Sequence, residues 1–259
     1  MNCRICGASA KAAFSHAVLK KHPCDYYYCE ACGFLQTQVP DWLDEAYSNA
    51  VAAADTGLVR RNVAVSRTLS IVLFFLFDPH GKYLDVAGGY GMLARLMRDI
   101  GFDFYWSDKY CENLLARGFE APAAATSYAA VTAFEVLEHV PDPLRFVAES
   151  LDHASTRTML FSTSLFEGAP PEPGLWWYYA FETGQHVSFF QVRTLQFMAD
   201  KLALNLCSSG SFHMLTDRVI HPHAFRLLTH PRARFLSAIP RHVLESKVMT
   251  DHLAIIRRT

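Results

Sequence analysis

No stretch of the 259-residue sequence stays apolar for the roughly 20 residues that a bilayer span requires. The strongest run, LSIVLFFLF at 69–77, is much shorter and meets Asp78-Pro79, so it reads as the buried part of a helix. Net charge is nearly absent as well, with 24 Lys and Arg against 25 Asp and Glu. Bulk electrostatics therefore supply no grip on nucleic acid or on an anionic membrane. The opening MNCRICG lacks the charged region and apolar core of an export signal, so the expected location is cytoplasmic. Internal repeats and low-complexity tracts are missing too. The 51% of apolar residues suffices for one α/β domain of ordinary size with a small appendage.

Cysteine is scarce beyond residue 32, where only Cys111 and Cys207 occur, but five cysteines crowd the first 32 positions. A secreted disulfide framework needs an export signal and usually a smaller chain. The pairs Cys3-x-x-Cys6 and Cys29-x-x-Cys32, each followed by glycine, instead have the spacing that brings two sulfurs to one ion. Four thiolates suit Zn²⁺ and leave no open position, so the expected ion is structural. Cys24, with His22 nearby, is a spare thiol.

The chain divides into a module at 1–38, a helical connector or cap at 39–80, and a larger domain at 81–259. HPCDYYY reads as a turn and strand. Asp41 is the expected N-cap of DWLDEAY, and Asp55 or Thr56 that of the helix ending in LSIVLFFLF. From Tyr83 short apolar runs (YLDVA, FDFYWSD, AVTAFEVLEH, TMLFSTS) alternate with helical patterns (GMLARLMRDIG, CENLLARG, DPLRFVAESLDHA). Gly101 is the stop signal of the first of these helices. That alternation means βαβ units: an α/β, Rossmann-like, doubly wound and mostly parallel sheet. QVRTLQFMADKLA reads as a helix, LNLCSSGSFHML and DHLAIIRR as strands; 217–244 has no assignment.

The glycine turn DVAGGYG lacks two things. Leu93 and Ala94 stand where a dinucleotide fingerprint wants its third glycine, and no Gly-Lys-Ser/Thr follows for a P-loop. What remains is an acid, Asp85, then the turn, then a helix, with Asp108 closing the next strand about 20 residues on, the offset of a ribose-binding acid. Asp85 could accept from a ligand ammonium or orient the loop. Together they suit a ligand with a ribose and a cationic amino-acid end.

YLDVAGGYGMLARLM, YWSD and VTAFEVLEHVPDPLRFV resemble the successive motifs of class I S-adenosylmethionine-dependent methyltransferases, over about 60–205. The resemblance implies that Asp85, Ala87, Gly89 and Gly91 shape the cofactor loop, that Asp108 holds the ribose, and that Phe134 and Glu135 lie beside the cofactor. Ala87 replaces a family glycine, and the segment between Asp108 and Val131 is short for a helix, a strand and another helix. The cysteine module, through YYYCEACGFLQTQVP, is similar to the zinc-binding module of sugar C-methyltransferases, without the C-terminal domain of that group.

These likenesses imply methyl transfer from S-adenosylmethionine to a small polar metabolite, such as a sugar or nucleotide sugar. Nucleic-acid and membrane partners are not expected. The aromatic stretch WWYYAFETGQHVSFF is the natural wall or lid, and GQHVSFF resembles the part of the sugar enzymes that carries a base histidine. His186 is the candidate base. Tyr178, Tyr179 and Glu182 are candidate proton carriers or platforms; His139 is placed near the cofactor, and Arg60 and Arg61 could meet an acidic group. Two alternatives stay open: an RNA methyltransferase that clamps nucleic acid with the ribbon, and a non-catalytic zinc-containing scaffold.

Overall fold

The computed structural model describes residues 1–47, 55–122 and 126–257. Along the chain come β1 (Lys11–Val18), β2 (His22–Tyr28), β3 (Leu35–Thr37), α1 (Leu43–Ala46), α2 (Leu58–Leu76), β4 (Lys82–Val86), α3 (Met92–Ile100), β5 (Asp103–Ser107) and β6 (Ala130–Ala133). Then follow α4 (Pro143–His153), β7 (Thr158–Ser162), β8 (Ser188–Phe189), α5 (Val192–Lys201), β9 (Asn205–Ser209), β10 (Phe212–Thr216), α6 (Pro222–Thr229), α7 (Ala238–Val243) and α8 (Val248–Ile256). One sheet has the order β1-β2-β3-β8, the other β5-β4-β6-β7-β10-β9. In the second, β4 runs parallel to both β5 and β6, as the alternation predicts, and β9 and β10 are antiparallel. Among the described residues no helix is long and apolar enough to cross a membrane.

The contacts divide the chain into two compact units. The first comprises Met1–Ala52, Phe134–Glu149 and Phe161–Val219. Its antiparallel sheet takes three strands from the cysteine-rich segment and a fourth, β8, from the aromatic stretch 150 residues later. β8 exists because Leu35 and Gln36 pair with Phe189 and Ser188. The aromatic side chains then fill one core: Tyr26, Trp42, Tyr178, Tyr179, Phe181 and Phe189 are buried together. Trp42 Nε1 donates to Gly184 O at 2.8 Å, and the Leu19 amide to Phe181 O at 2.8 Å. Of the expected wall or lid, the stretch forms a wall packed into the module.

The second unit comprises Ala53–Ala133, Ser150–Leu160 and Ile220–Thr259. Its helix α2 buries Leu69 through Leu73, while Phe75 near its end stays exposed. Buried Arg98 on α3 makes a two-pronged bond with Asp251 of α8, at 2.8 and 2.7 Å. It also reaches Asp103, and its guanidinium lies over the Phe119 ring.

Several local expectations change. Of DHLAIIRR, residues 251–256 belong to helix α8, not a strand: the short apolar run fits either period, and Asp251 held by Arg95 and Arg98 decides for the helix. LNLCSSGSFHML folds as a hairpin, because Gly210 at φ +60° turns the chain between β9 and β10. CENLLARG is not a helix. The Tyr110 and Cys111 amides bond to Asp108 Oδ1, and the Ala116 amide to Asn113 Oδ1, so side chains take donors a helix would use. A single parallel bridge, Trp106 to Glu120, stands where another strand would add to the edge. α1 is capped by Trp42 rather than Asp41, and α2 by Gly57, while Asp55 pairs with Arg61. The part of the expected connector at 48–54 and the basic end at 258–259 lie outside the described residues. The unassigned 217–244 forms α6, a 3₁₀ helix at Pro231–Ser237, and α7.

Candidate active site

In the second unit, β4 delivers Asp85 to the start of the glycine turn. Its carboxylate is 3% exposed, and Thr132 Oγ1 donates to Oδ1 at 2.6 Å. Burial pushes its pKa up to about 7; the charge of Asp108 acts in the same direction and the Thr132 bond opposes it. Ala87 sits at φ +51°, in left-handed backbone that favours glycine. Gly89, at φ +54°, has no atom within 4 Å of where a Cβ would stand, so the turn opens onto free space there. Gly91, at φ +84°, is the N-cap of α3, and a Cβ on it would meet Asn113 Oδ1 at 2.8 Å.

Asp108 stitches the turn to the loop after β5. Its Oδ2 accepts from the Gly89 amide at 2.9 Å, and its Oδ1 from the Tyr110 and Cys111 amides at 2.7 and 2.8 Å. Trp106 Nε1 donates to Gly89 O at 2.8 Å. A carboxylate offers about four lone pairs, so Oδ2 keeps capacity for a ligand hydroxyl.

In the first unit a second constellation forms. Glu135 holds left-handed backbone at φ +57°, its amide donating to Ser162 Oγ at 2.8 Å and Ser162 Oγ donating back to Oε1 at 2.6 Å. Phe134 packs against Phe212. The next turn carries Glu138, fully buried, and His139. The Val187 amide donates to Glu138 O at 2.8 Å and Ser188 Oγ to Val140 O at 2.7 Å, which brings His186 beside them. The His139 and His186 rings meet edge to face with centroids 4.7 Å apart. His186 Nδ1 lies 2.6 Å from Tyr178 O, and His139 Nδ1 2.9 Å from Tyr47 Oη. Burial raises the Tyr178 phenol far above its usual range, with the charges of Glu138 and Glu135 adding to the effect.

Residues 60–208, more than half of the chain, match the family model Methyltransf_23, described as a methyltransferase domain. The chain belongs to this methyltransferase family. The matched domain is that of a methyltransferase, the class whose expected donor is S-adenosylmethionine. Among solved structures the methyltransferase is similar to TnmH, at 17% identity and a TM-score of 0.49 over 69% of this chain and 62% of that one. It is also similar to the mitomycin 7-O-methyltransferase MmcR, at 14% identity and 0.45 over 67% and 59%. A third is magnesium protoporphyrin IX methyltransferase (ChlM) from Synechocystis PCC 6803 with bound SAH, at 15% identity and 0.42 over 68% and 91%. The chain spans about three fifths of the length of the first two. A search of curated proteins finds no match.

The residues of the turn fit the donor of this class. Open space above Gly89 admits a ligand against backbone, and Asp108 offers a carboxylate oxygen to a hydroxyl. Gly88, which sequence reasoning passed over, also has no room for a side chain: a Cβ there would stand 2.8 Å from Asp85 Oδ2 and 2.9 Å from Trp106 Cδ1. Glu138 and Tyr47 were also missed. The adjacency Glu138-His139 in EVLEH was the available signal for Glu138; Tyr47 had none, because its role depends on a contact 92 residues away.

Tyr178 meets His186, whereas Tyr179 does not: its hydroxyl donates to Pro171 O at 2.6 Å and its ring is buried among aromatics. Glu182 and Arg60 are exposed on the surface, and Arg61 pairs with Asp55 at 2.6 Å. The Sγ atoms of Cys3, Cys6, Cys29 and Cys32 all lie within 4.8 Å of one another. The two knuckles match: the Gly7 amide donates to Cys3 O and the Gly33 amide to Cys29 O, with both glycines at positive φ. Cys24 belongs to the aromatic core instead, and burial pushes its thiol up to about 12.

Proposed function

We propose that the enzyme moves the methyl group of S-adenosylmethionine to a small polar metabolite of the sugar or nucleotide-sugar kind, and that His186 draws the proton from the acceptor. The donor supplies an activated methyl on a sulfonium, so the chain's task is to orient and to manage a proton. Asp108 and the Gly89 backbone would hold the ribose end, and Asp85 the neighbourhood of the turn.

The observation that carries the role of His186 is its bond to Tyr178. A carbonyl only accepts, so Nδ1 carries the hydrogen and Nε2 of the neutral ring carries the lone pair. A polar, partly buried cluster of two imidazoles and a carboxylate supports a polar acceptor. We assign the four-cysteine cluster to structural Zn²⁺: sulfurs about 2.3 Å from a tetrahedral ion stand about 3.8 Å apart, and the Cys3–Cys32 and Cys6–Cys29 sulfurs are 3.5 and 3.4 Å apart.

Calorimetry with S-adenosylmethionine and its demethylated product tests the donor, and the absence of binding heat would sink the enzymatic reading. His186→Gln should abolish turnover on an accepted sugar while leaving donor affinity intact. Unchanged turnover removes His186 from the mechanism.

A further inference from the structure

The cluster around His186 contains more than a base needs. One ligand atom each from Glu138, His139 and His186 lies within 4.8 Å of the others, all inside the first unit. They come from two segments, the turn after β6 and the stretch just before β8, where His186 is the second residue ahead of the strand; the Val187 amide bond to Glu138 O ties those segments together. Glu138 is fully buried. A buried carboxylate between two imidazoles is a costly arrangement unless a charge is shared there.

Both imidazoles are oriented from behind through Nδ1, His186 by the Tyr178 carbonyl and His139 by the Tyr47 hydroxyl. Metal-ligating histidines are held in this manner, with an outer partner fixing the ring. We propose that Glu138, His139 and His186 form a second metal centre, separate from the four cysteines, that binds a divalent first-row transition ion and presents it to an oxygen of the acceptor.

Two nitrogens and one carboxylate oxygen select such an ion over Mg²⁺ or Ca²⁺, which prefer all-oxygen shells. Three protein ligands also leave positions open, unlike the four-thiolate site. The inference rests on the reading of His186 as the acceptor-activating residue and changes the carrier of that activation. With the ion in place, His186 is a ligand, and the ion lowers the pKa of a hydroxyl bound to it. The acceptor loses its proton to solvent water. Its oxygen pair forms the C–O bond while the C–S pair returns to sulfur, leaving a methyl ether and S-adenosylhomocysteine. Without the ion, the same lone pair takes the proton.

The experiment is a Co²⁺ titration of the full chain as purified, followed by visible absorption and by zinc content, with neither donor nor acceptor present. One equivalent of Co²⁺ should bind with the d–d bands of nitrogen and oxygen ligation, no thiolate-to-cobalt charge-transfer band, and no loss of zinc. Glu138→Gln should weaken binding by more than about tenfold, since even changes to outer partners cost that much. Tyr47→Phe, which removes only the hydroxyl behind His139, should weaken it by about tenfold. No Co²⁺ binding, a thiolate charge-transfer band, or equal binding by wild type and both variants overturns the proposal. These readouts do not involve methyl transfer. Failure of the wider reading appears separately, as unchanged turnover in His186→Gln.

Discussion

Burial favours the neutral form of both Asp85 and His213, and because one is an acid and the other a base they give the protein opposite pH signatures. Burial keeps Asp85 neutral to about pH 7, so the native state binds a proton that the unfolded chain releases near 4. Its contribution to stability is full below about pH 4 and is lost as pH rises to 7. The thermal midpoint of the wild type should fall over that interval, and Asp85→Asn should flatten the fall. Equal slopes in the two proteins would remove Asp85 as the cause. His213 is fully buried, with Nε2 3.1 Å from Thr163 O and Nδ1 2.9 Å from Ser208 Oγ. Burial pulls its pKa down to about 4, with the Thr163 bond opposing. Its stabilisation is present above about pH 6.5 and is lost as pH falls through 4. Urea denaturation of His213→Gln should show less acid sensitivity between pH 6.5 and 4 than the wild type; identical sensitivity would exclude this histidine. At Ala87 the left-handed backbone already carries the strain of a Cβ. A β-branched side chain at that φ is a steric outlier, so Ala87→Val should cost about 1–2 kcal/mol in chemical denaturation. Ala87→Gly relieves the strain but loosens the unfolded chain, and stability should stay within about 0.5 kcal/mol.

Elements owe their identity to partners as much as to pattern. β4, α3, β5, β6 and β7 were legible because period-2 and period-3.6 runs are bounded by Gly101, by Asp108 and by proline-containing turns. β8 was hidden, since two residues carry no period; β3 makes it a strand. α8 was misread from its apolar run, and its register is set by the buried pairing of Asp251 with Arg98 and Arg95. Removing that carboxylate leaves buried Arg98 with one acid fewer. Asp251→Ala should destabilise the protein by about 3 kcal/mol, and limited proteolysis should cut first near α8. Cleavage elsewhere, with α8 still protected, would show that other contacts hold the helix.

At the scale of the whole molecule, the four-cysteine cluster anchors the sheet to which β8 belongs, and Val187 and Ser188 position His186 from that strand. The glycine turn and Asp108 belong to the other compact unit. Stripping the zinc proposed at the four cysteines should therefore unfold the module and abolish methyl transfer while donor affinity, read by calorimetry, survives. Simultaneous loss of both would mean that the two units depend on each other for folding. Strong chelation should also lower the thermal midpoint, because a four-thiolate ion contributes directly to folding.

Spacing within short stretches was determined by the sequence alone. Two Cys-x-x-Cys-Gly knuckles, an acid before a glycine turn, and a second acid about 20 residues later are local relations that chain geometry enforces wherever the chain folds. Tertiary structure alone decided which distant residues meet. The aromatic stretch packed into the core of the cysteine module, Tyr179 turned into that core while Tyr178 met His186, and Glu138 joined two histidines. The physical reason is that burial and cross-strand pairing reward contacts between segments separated by up to about 160 residues, and no periodicity within either segment records its partner.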